Sequence, residues 1–213
     1  MIIAIDGPAA SGKSTAARAL AQHLNLTFLD TGAMYRAVTL RVLAEGVAPE
    51  DEEACARIAD LVDLSFDGQG HVLVDGEPGE PRIRGAAVTA AVSVVAAHAG
   101  VRAAIVPKQQ AIAAAGGAVA EGRDTTTVVF PEADHKFFLV ASPLERGRRR
   151  AQERGEPQRA GEYAAEIERR DEQDRTREHS PLRQAADARL VDTDGCTPEQ
   201  VCERLLAYVL GGA

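Results

Sequence analysis

The sequence predicts an α/β chain built on a central parallel sheet, and three observations predict it. Short apolar runs such as Met1-Ile2-Ile3-Ala4-Ile5 and Lys136 to Ala141 alternate with stretches of helical length. The first run leads into Gly7-Pro8-Ala9-Ala10-Ser11-Gly12-Lys13-Ser14, a glycine loop ending in Gly-Lys-Ser that opens an alanine-rich helix. The alternation breaks once, from about residue 62 to 84, where period-two apolar residues and glycine turns replace it. At 213 residues this is one domain, 1–213, with a small insertion.

The loop explains its own residue types. Glycines allow the backbone to wrap a polyphosphate so that N–H groups face its oxygens, and the helix N-terminus behind adds partial positive charge. Lys13 is placed to reach the β- and γ-phosphates of ATP and Ser14 to hold Mg²⁺. A bare glycine turn between strand and helix is the bland alternative, but every motif position is filled and both flanks agree. The expected architecture is a P-loop fold of three layers.

In order, Asn25 to Leu29 reads as a second strand, and Asp30-Thr31-Gly32 opens a helix to Leu43 that Thr31 or Asp30 can cap. Thr31 and Arg36 there form either a second anion site or an ordinary cap with a surface arginine. Asp51 to Leu61 is a helix with an acidic first turn. Val62-Asp63-Leu64-Ser65-Phe66 and His71-Val72-Leu73-Val74, joined by Asp67-Gly68-Gln69-Gly70 and followed by Asp75-Gly76, form a small hairpin unit of three short strands. Asp67 to Gly70 is no GTPase switch, because it sits in a hairpin turn and no guanine-reading Asn-Lys-x-Asp follows.

Gly85 to Ala97 and Val101 to Ala115 are apolar helices carrying Ser93 and Arg102, polar groups that need partners or a surface. Pro107 is expected to end or kink the second helix unless it lies in the first turn. Gly117 to Glu121 and Lys136 to Ala141 are strands, and the loop after the first carries Arg123 and Asp124. Loops after strand ends converge on one crevice in open α/β sheets. Leu144 to Arg154 is a helix with Arg146, Arg150 and Arg154 on one face, broken by Gly155-Glu156-Pro157. Tyr163 to Arg177 follows, with Arg170, Asp174 and Arg177 on one face. Such charge runs are usually solvated, salt-bridged faces; the excess of Arg over Lys favours anion recognition. Ala188 to Asp192 is the last strand and Pro198 to Leu210 the closing helix.

A net charge of −8 argues against non-specific nucleic-acid binding. Of 21 arginines, 11 lie between Arg146 and Arg183, so local cationic sites coexist with that acidic total. Cys55, Cys196 and Cys202 are scattered without metal spacing. With no basic leader before the first strand and no uninterrupted apolar span, the chain is expected to be cytoplasmic and off the membrane. Nothing reads as a long apolar interface helix, so a monomer is expected.

Four stretches together resemble the bacterial cytidylate (CMP/dCMP) kinases, within the nucleoside monophosphate kinases of the P-loop group. They are Ile5-Asp6-Gly7-Pro8 with the Gly-Lys-Ser ending, Asp30 to Arg36, Glu121-Gly122-Arg123-Asp124 with Thr127 to Pro131, and Arg170-Asp171 through Arg177. The resemblance covers essentially the whole chain. It implies that Gly7, Pro8, Ala9, Ala10, Ser11, Gly12, Lys13, Ser14 and Thr15 hold ATP and Mg²⁺. It implies that Thr31 and Arg36 lie on the acceptor phosphate with Arg123 nearby, and that Ser93, Arg102 and Asp124 read cytosine. Arg170, Asp174 and Arg177 then contact the acceptor, and Arg146, Arg150 and Arg154 belong to a short helical lid, 144–160. Lys13, Arg123, Arg177, Arg146 and Arg150 are the implied catalytic set, and the β-hairpin part of the insertion, 62–84, belongs to an acceptor-binding subdomain extending to about residue 115. Asp192 to Asp194 falls near the ATP base. Thr125-Thr126-Thr127, Pro107 and the proline-rich Gly76 to Pro81 depart from the family pattern.

The chemistry agrees with CMP or dCMP as acceptor. Cytosine offers an exocyclic amino donor that suits the Asp124 carboxylate, and acceptors that suit Arg102 and Ser93. Uracil would set a carbonyl against Asp124. The competing readings are a P-loop kinase for another small acceptor (UMP, AMP or a hydroxyl metabolite) and a non-catalytic ATP-binding regulator.

Overall fold

β1 (Ile2–Asp6) is the central strand of a five-stranded parallel sheet in the computed structural model, which describes residues 1–67 and 69–211. The remaining elements follow in chain order: α1 (Lys13–Leu24), β2 (Thr27–Asp30), α2 (Thr31–Ala44), α3 (Glu52–Leu61), β3 (Leu64–Phe66), β4 (Val72–Val74), β5 (Glu77–Pro78), α4 (Ala86–Val95), α5 (Ala99–Ala114), β6 (Ala118–Gly122), β7 (His135–Val140), α6 (Pro143–Glu153), α7 (Ala160–Thr176), β8 (Arg189–Asp192) and α8 (Pro198–Val209). The sheet order is β2-β6-β1-β7-β8, all parallel. Parallel pairing puts every strand's carboxyl end on one edge, so the loops after Asp6, Asp30, Gly122, Val140 and Asp192 share that edge.

The period of two assigns the layers. Ile3 and Ile5 of β1, with Val119, Phe137, Leu139 and Val191, point to one face and bury against α1 and α8. Ala4, Leu29, Ala118 and Ala120 point to the other and bury against α2, α3, α4 and α5. Strands buried on both faces read as near-continuous apolar runs, which is why they were visible without alternation.

The insertion is a separate antiparallel sheet of order β3-β4-β5. Asp75 (φ 53°) and Gly76 (φ 81°) both take positive φ, as a two-residue hairpin of primed type requires. Pro78 sits on the edge strand, where its missing N–H leaves no ladder bond unmade. Gly68, part of the expected first turn, lies outside the described residues.

Two local features go beyond the sequence reading. Pro107 neither ends α5 nor lies in its first turn: the helix runs on through it to Ala114. The lost N–H bond is outweighed by burial of Val101, Ile105 and Ala113 in the core. Thr125 to Val129, which includes the threonines that depart from the family pattern, forms a five-residue π-helical turn. α6 and α7 pack closely because Gly147 has no side chain; a Cβ there would lie 2.4 Å from the Ala160 carbonyl oxygen. Among the described residues no single helix is long and apolar enough to cross a membrane.

Candidate active site

The phosphate loop is shaped by contacts at its two ends. Gly7 (φ 148°) follows β1 where a Cβ would lie 2.1 Å from the carbonyl oxygen of Leu139, so no other residue fits beside β7. Gly12 (φ 89°) turns the chain left-handed into the first residue of α1. Between them the loop is tied down from outside. The Ala9 N–H donates to Asp171 Oδ1 (2.8 Å), and the Thr193 hydroxyl donates to the Ser11 carbonyl (3.0 Å). Lys13 is buried and its Nζ donates to the Pro8 carbonyl (2.7 Å). Burial and the charge of Arg123 push its pKa down, against the opposing pull of Glu121, Asp171 and Asp6. A buried ammonium with only a carbonyl for a partner is one that a polyphosphate would stabilise.

The loop forms one wall of an open cleft along the carboxyl edge of the sheet. Ala9, Ala10, Lys13 and Ser14 contribute from the loop. Gly7, Pro8, Ser11 and Gly12 are part of the loop's frame and not of that wall, and Thr15 lines a separate shallow hollow with Ser14 and Arg18. The opposite wall carries Thr31, Arg36, Ser93, Arg102, Arg123 and Asp124, with Arg150, Arg170, Asp174 and Arg177 closing the side. Residues from α2, α4, α5, α6, α7 and the loop after β6 thus meet in one place.

The alternatives left open by sequence resolve in geometric terms. Asp30, not Thr31, caps α2, its Oδ1 accepting from Ala33 N–H at 2.8 Å. Thr31 instead donates its hydroxyl to the Glu121 carbonyl (2.7 Å), locking the end of β2 to β6. Arg36 is no surface residue: it is buried, donating to the Ile83 carbonyl (3.2 Å) and the Thr89 hydroxyl (3.0 Å). Burial, then the charges of Arg170 and Arg84, push its pKa down to about 9. Arg170 is pushed down to about 10 by burial and by Arg123. A guanidinium stays charged at neutral pH, so these shifts describe cations held at a cost of burial first and mutual repulsion second, which a bound anion would offset.

The arginine-rich stretch divides into two populations. Arg148, Arg159 and Arg175 are exposed and paired at short helical spacing with Glu145, Glu156 or Glu162, and Glu172, which is the ordinary solvated arrangement. Arg150, Arg170 and Arg177 face the cleft. Arg146 does neither. It is buried beneath the loop, paired with Asp171 and Glu168 and donating to the Ala9 carbonyl (3.3 Å), outside the cleft wall. Arg154 is exposed at the end of α6, also away from the wall.

Ser93, Arg102 and Asp124 do converge. Arg102 is buried, pairs with the Asp124 carboxylate, and donates to the Ser180 hydroxyl (2.8 Å) and the Ala96 carbonyl (3.1 Å). Arg177 approaches the other Asp124 oxygen at 3.7 Å and Asp174 at 3.9 Å. Asp174 in turn accepts from Nε of Arg123 (2.9 Å), whose Nη1 donates to the Gly7 carbonyl (3.0 Å). One chain of ion pairs therefore runs from the base of the phosphate loop to Asp124.

Burial pushes the Asp174 pKa up, but the charges of Arg123 and Arg170 and the Arg123 hydrogen bond outweigh it and hold it below the ordinary carboxylate value. A depressed acid stabilises the fold above its unfolded pKa of about 3.9, and the contribution is lost as pH falls through the folded value. Asp174→Asn is expected to lose about 3–5 kcal/mol at pH 7, the cost of stranding buried cations. That deficit narrows as pH drops below about 5. Urea titrations of both proteins across this range check it; a pH-independent deficit contradicts the assignment.

Sequence reading missed several residues of the cleft. Glu121 is buried at the end of β6 and accepts from the Ser14 hydroxyl (2.6 Å). Burial and the nearby Asp30 push its pKa up, while Lys13 opposes them. An acid closing an apolar strand was the available signal. Arg84 lines the cleft and pairs with Asp30 (2.9 Å) and Glu80 (3.0 Å). Asp171, within the Arg170 to Arg177 stretch, lies outside the cleft wall and accepts from the Ala9 N–H beneath the loop; its spacing in a charged helix did not single it out. Ser14 with Glu121 is a hard-oxygen pair beside the loop, a fit for Mg²⁺, which takes few protein ligands and keeps water and phosphate oxygens. Among the described residues no cluster of three or more His, Cys, Asp or Glu forms a dedicated metal cage.

A solved structure of an uncharacterized protein from Eubacterium ventriosum superposes with TM-score 0.53 over 99% of both chains at 12% identity, a likeness of fold alone. The chain is 50% identical over 96% of its length to the bifunctional pantoate ligase/cytidylate kinase of Parasynechococcus marenigrum, and spans 42% of that longer protein. It is 47% identical over 97% of its length to the cytidylate kinase of Geobacillus kaustophilus, spanning 95% of it. Residues 3–210 match the Cytidylate kinase family model, and the chain belongs to that family.

Proposed function

We propose that the chain transfers the γ-phosphoryl group of ATP to CMP or dCMP, giving ADP and CDP or dCDP. The observation that carries this reading is the meeting of Ser93, Arg102 and Asp124 in the same cleft as Lys13. One wall has the chemistry of a triphosphate site, the other that of a cytosine and a monophosphate. The cytidylate kinase relatives support it. The arm 144–160 is read as a lid and the β3–β5 unit, 62–84, as part of the acceptor subdomain.

The acceptor phosphate is already anionic, so no general base has to remove a proton before attack. The chain's work is alignment and charge neutralisation. Lys13 would bind the β- and γ-phosphates. Arg36, Arg123, Arg170 and Arg177 would hold the acceptor, their mutual repulsion falling when its phosphate enters. Arg150 reaches the cleft from α6 and would move with the lid to exclude water, a competing acceptor. Arg146 acts differently in this reading, holding the loop through Asp171 and the Ala9 carbonyl instead of touching phosphate. Ser14 and Glu121 would hold Mg²⁺, which supplies further neutralisation of the phosphate oxygens when bound.

The test is an acceptor panel with ATP and Mg²⁺: CMP, dCMP, UMP, AMP and a set of hydroxyl metabolites. CMP or dCMP is expected to give the highest kcat/KM. Equal rates with UMP and AMP overturn the base assignment, and ATP binding with no acceptor turned over leaves the regulator reading in its place.

A further inference from the structure

Beneath the cleft lies a carboxylate that phosphoryl transfer does not use. Asp6 ends β1, is fully buried, and directly precedes Gly7. Its Oδ1 accepts from the Thr125 N–H (2.9 Å) and the Thr125 hydroxyl (2.7 Å). Its Oδ2 accepts from the Thr126 N–H (2.7 Å) and the Thr126 hydroxyl (2.6 Å). A carboxylate has about four acceptor sites, so all are used on two adjacent residues. Those residues begin the π-helical turn that follows Asp124. The Asp124 carbonyl is held from the other side, accepting from the N–H groups of Val128 (2.9 Å) and Val129 (3.2 Å). The backbone around Asp124 is therefore pinned at both its carbonyl and the next two amides.

We propose that Asp6 is a positioning residue for acceptor-base selection: through Thr125 and Thr126 it fixes the Asp124 carboxylate in the cleft. The inference rests on the proposed role of Asp124. Telling an amino group from a carbonyl depends on where a carboxylate oxygen stands, and displacement on the order of 1 Å is enough to lose such recognition. Thr125 and Thr126 are buried, where valine would fill the same space. What threonine adds at both positions is the hydroxyl that Asp6 receives. Because Asp6 adjoins Gly7, it also ties the base-reading carboxylate to the frame of the phosphate loop, alongside the route through Arg123 and Asp174.

Thr125→Val with Thr126→Val keeps the volume and both backbone bonds while removing both hydroxyls. Steady-state kinetics on CMP, dCMP and UMP, with the KM for ATP and the Tm, give the readout. The ratio of kcat/KM for the preferred acceptor over the next-best pyrimidine monophosphate is expected to fall about tenfold, consistent with two lost hydrogen bonds. The fall comes through the acceptor's KM, with the KM for ATP within about twofold of wild type. Thr126→Ser, which retains the hydroxyl, keeps the wild-type ratio. Asp6→Asn, which turns an acceptor toward the threonines into a donor, gives at least the loss of the double variant, and the threonine variants decide the matter if it does not fold. An unchanged ratio in the folded double variant overturns the proposal, as does an equal loss for every acceptor and for ATP. The ratio refers to whichever monophosphate the wild type prefers. A wild type preferring something other than CMP or dCMP thus refutes the base assignment while the positioning test is still read.

Discussion

Lys13→Ala is expected to lower kcat for phosphoryl transfer by about 10²–10³-fold or more, the scale on which removal of one preorganised charge-stabilising donor acts. The fold should survive. Lys13 sits buried with one carbonyl as its hydrogen-bond partner, and its charge is disfavoured there by burial and by Arg123. Removing it leaves the Ala9 and Ser11 anchors from Asp171 and Thr193 in place. Circular dichroism and Tm close to wild type, with turnover lost, is the predicted pair of results. Wild-type turnover in the folded variant would remove the lysine from the mechanism.

Asp124→Asn carries the second large effect. The substitution keeps the shape of a buried side chain but replaces an acceptor-only carboxylate with an amide that can also donate. Cytosine loses its charged acceptor, and the 4-carbonyl of uracil gains a donor. The CMP-over-UMP ratio of kcat/KM is expected to collapse by about 10²-fold or more, since sites built on hydrogen bonding discriminate most strongly. Arg102 retains Ser180 and the Ala96 carbonyl, and Arg177 Nε retains the Ser180 carbonyl (2.6 Å), so neither guanidinium is left without a partner. The KM for ATP should hold, because among the described residues the Asp124 carboxylate pairs with Arg102 and Arg177 and not with the phosphate loop. Preserved discrimination with a raised KM for ATP would place Asp124 on the wrong substrate.

These two substitutions act at opposite ends of one electrostatic path. Arg123 touches the Gly7 carbonyl at one end and Asp174 at the other, and Asp174 leads through Arg177 to Asp124. Such buried pairs add little net stability relative to apolar packing, yet are costly to break singly. In the proposed function they would hold the two half-sites at a set distance.

Much of the site was legible because its parts are local. The phosphate loop needs only glycine at Gly7 and Gly12, a terminal Lys-Ser and a helix behind, all within eight residues. The three-layer sheet followed from the periods of apolar residues, and the insertion from the break in period and the Asp75-Gly76 turn. What the sequence could not separate was one arginine from another. Arg146, Arg150 and Arg154 share a spacing, but burial under the loop, exposure to the cleft and exposure to solvent are decided by how α6 packs against α7 across Gly147. Asp171 and Glu121 likewise take their places from partners far along the chain, at Ala9 and Ser14. Pro107 shows the limit from the other side, since a helix-breaking residue was overruled by the burial of its neighbours. By itself the sequence determined the fold class, the glycine loop and the polar residues from which the candidate site is built. Only the tertiary structure decided which of those groups face one another, because ion pairing in a buried site depends on distance and desolvation that residue spacing does not encode.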